Sequence, residues 1–174
     1  MHGLGDAGDN PGMQSLAQSV MDKYKGSYAV AVDVADGIWS FITSMQDQVD
    51  QFTQQVRSDP KLANGFDLVG LSQGGLVARA YIHMVNDPPV RNFVSICGVV
   101  GGVSDCPASI AWIPFLCDLW KSNPYDFDFG ILPISFADYW VADNATFYFQ
   151  GNKFLAPLNN VDPYTRPNAT YKTN

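Results

Sequence analysis

The chain has 174 residues, 47% of them apolar and 16% charged, which is enough apolar material for one globular domain and its core. Ten basic residues against 17 acidic ones leave a net charge of −7 with no Lys/Arg cluster, so nucleic acid is excluded as a partner for want of a basic footprint. No stretch approaches the ~18 consecutive apolar residues of a spanning helix, and the N-terminus lacks the basic-then-apolar order of a signal peptide.

The opening "HGLGDAGDNPG", from His2, is a glycine-rich loop, and Pro11 suits the first turn of a helix predicted over Pro11 to Tyr24. "SYAVAVDV", Ser27 to Val34, is short and β-branched and lies between Gly26 and Gly37, which predicts a buried strand. Ile38, Ile42, Met45, Val49, Phe52 and Val56 recur at intervals of three and four, laying one apolar stripe along a helix that ends before Asp59-Pro60. Next come a strand Phe66 to Leu71, a turn at Ser72, a helix Gln73 to Val85 stopped by Pro88-Pro89, and a strand Val90 to Cys97. This alternation implies an α/β fold with a mostly parallel sheet and helices on both faces.

Beyond Gly98 the character changes. The stretch to Trp140 is rich in aromatics, prolines and turns and has no clear period. It reads as a lid-like insertion over the sheet's edge, with irregular core packing as the plainer alternative; Trp112, Phe115 and Trp120 suit a core at least as well as a ligand wall. Without a repeat or linker, the chain is expected to be a single domain, with a sheet-and-helix core at 1–98, the insertion at 99–145 and a return toward the core at 146–174.

The cysteines and sequons point to the secretory route. Cys106 and Cys117, separated by "PASIAWIPFL", either close a local disulfide loop or remain two buried thiols, and Cys97 is expected to be a small core residue. Asn144-Ala145-Thr146 and Asn168-Ala169-Thr170 are glycosylation sequons in polar, turn-rich sequence.

The chemistry concentrates at Gly70-Leu71-Ser72-Gln73-Gly74, a G-x-S-x-G pentapeptide entered by a strand and left by a helix. A nucleophilic Ser72 on such a turn exposes its oxygen, and the flanking glycines admit neighbouring backbone without a Cβ clash. An oxyanion formed there needs donors. One is the backbone N–H of Gln73 at the helix N-terminus; the second is the N–H of Leu4 in the "HGLG" loop. The chain has two histidines. His83 lies ~16 Å along the helix axis from the serine, too far to be its base. His2 belongs to the oxyanion loop, where a packed, hydrogen-bonded role is expected. No histidine follows residue 83, so the proton acceptor is not among these residues.

Taken together, "HGLGDAGDNP", "SDPKLANGFDLVGLSQGGLVARA", "NDPPVRNFVSICGVVGGV", "CPASIAWIPFLC", "ADYWVADNATFYFQGNKFLAPLNN" and "NATYKTN" resemble the palmitoyl-protein thioesterase family of α/β-hydrolases across nearly the whole chain. These are lysosomal enzymes that remove thioester-linked fatty acyl groups from protein cysteines. The resemblance implies Ser72 as the acyl-accepting nucleophile and the N–H groups of Leu4 and Gln73 as the oxyanion hole. It implies that Val103 to Trp140 lines an acyl groove, that Cys106 and Cys117 pair, and that Asn144 and Asn168 carry glycans. S-palmitoylated proteins or long-chain acyl thioesters are the implied substrates, the lysosome or the secreted space the location, and neither metal nor cofactor is implied. Family members also carry a strand running into the His-Gly and continue past "NATYKTN" to an Asp and a Gly-Asp-His. A partial α/β-hydrolase fold is therefore expected, lacking the triad Asp and His and inactive alone. Extra cysteines of animal members are replaced here by Thr53 and Val85. Alternatives are a lipase or carboxylesterase of the same fold, or a non-catalytic acyl-binding fragment.

Overall fold

The computed structural model describes residues 1–105, 118, 125 and 135–159. Cys106, Cys117, Asn168, Trp112, Phe115 and Trp120 lie outside the described residues, and with them the expected disulfide, one sequon and most of the insertion.

Helix α1, Pro11–Lys23, starts where Pro11 predicts, with the Asn10 side chain accepting a bond from the Gly12 N–H at 2.8 Å. The strand expected over Ser27 to Val34 does not form. Val32 and Val34 are buried, but a strand exists only through its ladder. Here a cavity of about 700 Å³, walled by Leu16 and Val20 of α1 and by Phe66 and Leu68, separates residues 29–32 from the nearest strand.

The helix expected from Ile38 is two helices. After α2, Trp39–Ile42, the backbone extends at Thr43, and α3, Met45–Ser58, begins afresh. The reason is Ser44, which accepts from the Asp47 N–H at 3.1 Å and donates to the Asp47 carboxylate at 2.7 Å, an N-terminal cap concealed within the apolar spacing. Ile38, outside the second helix, is 66% exposed, while Met45, Val49, Phe52 and Val56 are buried as the stripe requires.

Strand β1, Phe66–Leu71, helix α4, Gln73–Met84, and strand β2, Val90–Ile96, follow the predicted order. The strands are parallel, with Leu68 opposite Phe93 and Leu71 opposite Ile96. Phe52, Phe66 and Tyr81 bring α3, β1 and α4 into one aromatic cluster, with Phe52 and Tyr81 edge to face at 5.0 Å. Among the described residues β2 pairs with β1 alone. Val94 is 51% exposed on it, and Cys97, expected in the core, is exposed just beyond its end, because this edge is uncovered.

Three short helices complete the described chain: α5, Ser135–Asp138, α6, Ala145–Gly151, and α7, Leu155–Asn159. Val103 and Trp140 meet in an isolated parallel bridge, with Val103 N–H donating to the Tyr139 carbonyl at 2.9 Å and Val141 N–H to the Val103 carbonyl at 2.7 Å. Arg79 of α4 donates to the carbonyls of Val100 and Leu158 and to the Asn159 side chain, tying α4 to α7. Among the described residues no helix is long and apolar enough to cross a membrane.

Candidate active site

Ser72 joins β1 to α4 at φ 50°, ψ −120°, a conformation costing a non-glycine residue on the order of 1–3 kcal/mol. Backbone bonds hold it there: Ser72 N–H to the Ile96 carbonyl at 3.0 Å, and the N–H groups of Gly75 and Val99 to the Ser72 carbonyl at 2.9 and 3.3 Å. The surrounding glycines are required by contact. A Cβ on Gly70 would stand 2.6 Å from the Gly74 carbonyl oxygen, and one on Gly74 would overlap the His2 carbonyl oxygen and reach 2.6 Å from that of Met1.

The same closeness brings the His2–Gly5 loop to the serine. Met1 lies along β1, its ammonium donating to the Val69 carbonyl at 2.9 Å and its carbonyl accepting from Leu71 N–H at 3.1 Å. A Cβ on Gly3 would sit 3.0 Å from the Ser72 Cβ and 3.7 Å from its Oγ. Leu4 follows in a tight turn closed by Asp6 N–H on the Gly3 carbonyl at 3.2 Å. Gln73 is the first residue of α4, so its N–H has no acceptor within the helix and points along the positive end of the dipole.

Both histidines are committed elsewhere. His2 is buried, and the Val34 N–H donates to its Nε2 at 3.3 Å, which makes Nδ1 the protonated nitrogen; that N–H donates to the Gly3 carbonyl at 3.0 Å. Asp36 lies 3.5 Å from the same Nε2, and neither ring nitrogen remains to take a proton from Ser72. His83, in the last turn of α4, bonds the Arg79 carbonyl through Nδ1 at 2.8 Å.

Behind the serine lies a buried polar network that sequence reasoning missed. The Gln73 side chain donates to the Ser40 carbonyl at 3.1 Å and to Gln48 Oε1 at 2.9 Å, and accepts from the Tyr139 hydroxyl at 3.4 Å. Gln48 also donates to the carbonyls of Ser40 and Thr43, and the Ser135 hydroxyl donates to Ser40 at 2.7 Å. Burial pushes the Tyr139 hydroxyl well above its ordinary range. Asp138 accepts from the Met45 N–H at 2.7 Å, yet burial raises its carboxyl to about 6, with the charge of Asp47 adding to the shift. Gln48 was the one visible signal, a polar residue on the Met45–Val49–Phe52 stripe.

Asn144 caps α6, its side-chain oxygen accepting from the Phe147 N–H at 3.0 Å, and it is exposed. Among the described residues no group of His, Cys, Asp or Glu is placed to hold a metal ion.

The sequence profile of the family described as Palmitoyl protein thioesterase matches residues 1–174. The chain belongs to the palmitoyl protein thioesterase family. Within it, the chain is 35% identical to Palmitoyl-protein thioesterase 3 of Dictyostelium discoideum over 176 residues, covering 100% of this chain and 58% of that protein. It is 29% identical to Palmitoyl-protein thioesterase 1 of Caenorhabditis elegans, covering 99% of this chain and 60% of that protein. Against Lysosomal thioesterase PPT2 of Homo sapiens the identity is 27%, covering 98% and 55%. The chain therefore spans somewhat over half the length of these curated relatives. Palmitoyl protein thioesterase membership implies an α/β-hydrolase fold, and the parallel β1–α4–β2 unit with a serine at its first turn agrees with it.

Proposed function

We propose that this chain carries the nucleophile and oxyanion half of a serine thioesterase acting on long-chain acyl thioesters, S-palmitoylated proteins among them. The observation that carries the proposal is Ser72 at positive φ on a strand-to-helix turn, with the Gly3 backbone against its side chain. In the reaction, Ser72 Oγ attacks the thioester carbonyl carbon and its proton passes to a base. Negative charge gathers on the carbonyl oxygen, where the N–H groups of Leu4 and Gln73 receive it. The C–S bond then breaks, the cysteine sulfur leaves with a proton, and water cleaves the resulting serine ester.

The base and its acidic partner have to come from groups other than His2, whose two ring nitrogens are engaged, and His83, which sits at the far end of α4 from Ser72. Val103 to Trp140 is the stretch proposed to line the acyl groove. The names of relatives such as Lysosomal thioesterase PPT2 support a lysosomal setting, and in that setting glycans on Asn144 and Asn168 and a Cys106–Cys117 disulfide belong to the proposal.

The test is release of thiol from a palmitoyl thioester with and without added imidazole. Without its base the chain is expected to turn over slowly, since loss of a triad member leaves ~10³ to 10⁴-fold over water. Imidazole should raise the rate, and Ser72→Ala should abolish the increment. An imidazole-dependent rate identical in Ser72→Ala would overturn the assignment of the nucleophile.

A further inference from the structure

The two proposed oxyanion donors come from segments far apart in the chain, the Gly3–Gly5 loop and the start of α4. A catalytic hole requires their spacing to be held to about 0.5 Å. One residue touches both sides. Ser40, 1% exposed in α2, accepts the Gly5 N–H on its Oγ at 2.7 Å and the Gln73 side-chain amide on its carbonyl at 3.1 Å.

Its geometry leaves it little freedom. The hydroxyl hydrogen is directed to the Gly37 carbonyl at 2.6 Å, so an oxygen lone pair is fixed on Gly5. The carbonyl is free for side chains because α2 ends at Ile42 and Thr43 is extended, leaving the helix's last carbonyls without partners of their own. Gln73, Gln48 and Ser135 all donate to it, at 3.1, 3.2 and 2.7 Å. A second tie, Gly37 N–H to the Asp6 carbonyl at 2.8 Å, holds the turn before the same short helix onto the loop, and the Phe41 ring stands close enough that a Cβ on Gly5 would lie 3.3 Å from it.

We infer that Ser40 is a positioning residue that sets the distance between the Leu4 and Gln73 donors. It touches no substrate and acts through Gly5 and Gln73. The inference rests on the oxyanion assignment made above, and its consequence is selective. Loss of the hydroxyl releases Gly5 and leaves its N–H without an acceptor, so recognition of a tetrahedral anion suffers while burial of an alkyl chain does not.

The experiment is calorimetric titration of the 174-residue chain and of Ser40→Ala with octylphosphonate, an anion bearing an alkyl tail, and with octanol as the neutral control. Thermal melting is recorded for both proteins. The native chain is expected to bind octylphosphonate more tightly than octanol, and Ser40→Ala to lose about tenfold of the phosphonate affinity with the octanol affinity unchanged. Should Ser40→Ala fail to melt cooperatively, Ser40→Cys, close to native in volume, takes its place. Phosphonate affinity within twofold of native in a folded variant would overturn the positioning role and leave the nucleophile assignment standing. Equal loss for both ligands would reduce Ser40 to a structural residue. A native chain that does not prefer the phosphonate would remove the oxyanion hole itself, and Ser40's role with it.

Discussion

Asp138 offers a test of the buried network by pH. Its carboxyl is raised from an ordinary 3.8 to about 6, first by burial, against the opposing pull of the Met45 N–H, with the charge of Asp47 pushing further upward. Between pH 4 and 6 the folded chain therefore holds a proton that the unfolded chain has released. Stability at this site is full below the unfolded value and falls as pH rises toward and through the folded one. A shift of about two units corresponds to about 3 kcal/mol at the upper limit. Asp138→Asn retains an oxygen for the Met45 N–H and cannot ionise, so it should be little different from native at pH 4 and more stable than native at pH 7. Urea unfolding followed by tryptophan fluorescence measures this, with Trp140, its ring tilted against Phe136 at 5.5 Å, as a local reporter. The carboxylates that do not act on Asp138 are common to both proteins and cancel in the difference, which retains the coupling of Asp138 to Asp47. A difference in unfolding free energy that stays constant from pH 4 to 7 would refute the desolvated carboxyl.

Two further outcomes test the elbow and the sheet. Gly74→Ala should lose about 1–3 kcal/mol of stability in the same urea assay, because its methyl group overlaps the His2 carbonyl and the oxyanion loop has to move; unchanged stability would mean that the loop is not seated on α4. Cys97 should react with a thiol reagent in the folded chain, and Cys97→Ala should remove that labelling, whereas labelling only after denaturation would place the thiol under cover.

The elements read correctly from the sequence were those whose signals are local. Asn10-Pro11 starts a helix with its own side chains, and the run from Phe66 through Ser72 to Ile96 carries its strand, turn and helix boundaries within itself. Ser27 to Val34 has the composition of a strand, but a ladder needs a neighbour and a cavity stands where one would be. The break at Thr43-Ser44 was legible as a cap, yet the apolar spacing across it was smooth enough to hide it. Cys97 shows that burial is not a property of an apolar run: it depends on what covers the strand. The nucleophile turn was readable because its pentapeptide and the strand and helix around it are contiguous in sequence, although the contact that requires Gly74 comes from the distant His2 loop. Ser40, Ser135 and Tyr139 were not, since they come together with Gln48 and Gln73 only after distant segments have folded together.

The clasp made by Arg79 has a topological consequence. By gripping Val100, Leu158 and Asn159 at once, it moors Asn159 to the loop that follows β2, and the same loop bonds the Ser72 carbonyl through Val99. The end of α7 is thereby held, through two successive residues of that loop, to the backbone of the nucleophile itself.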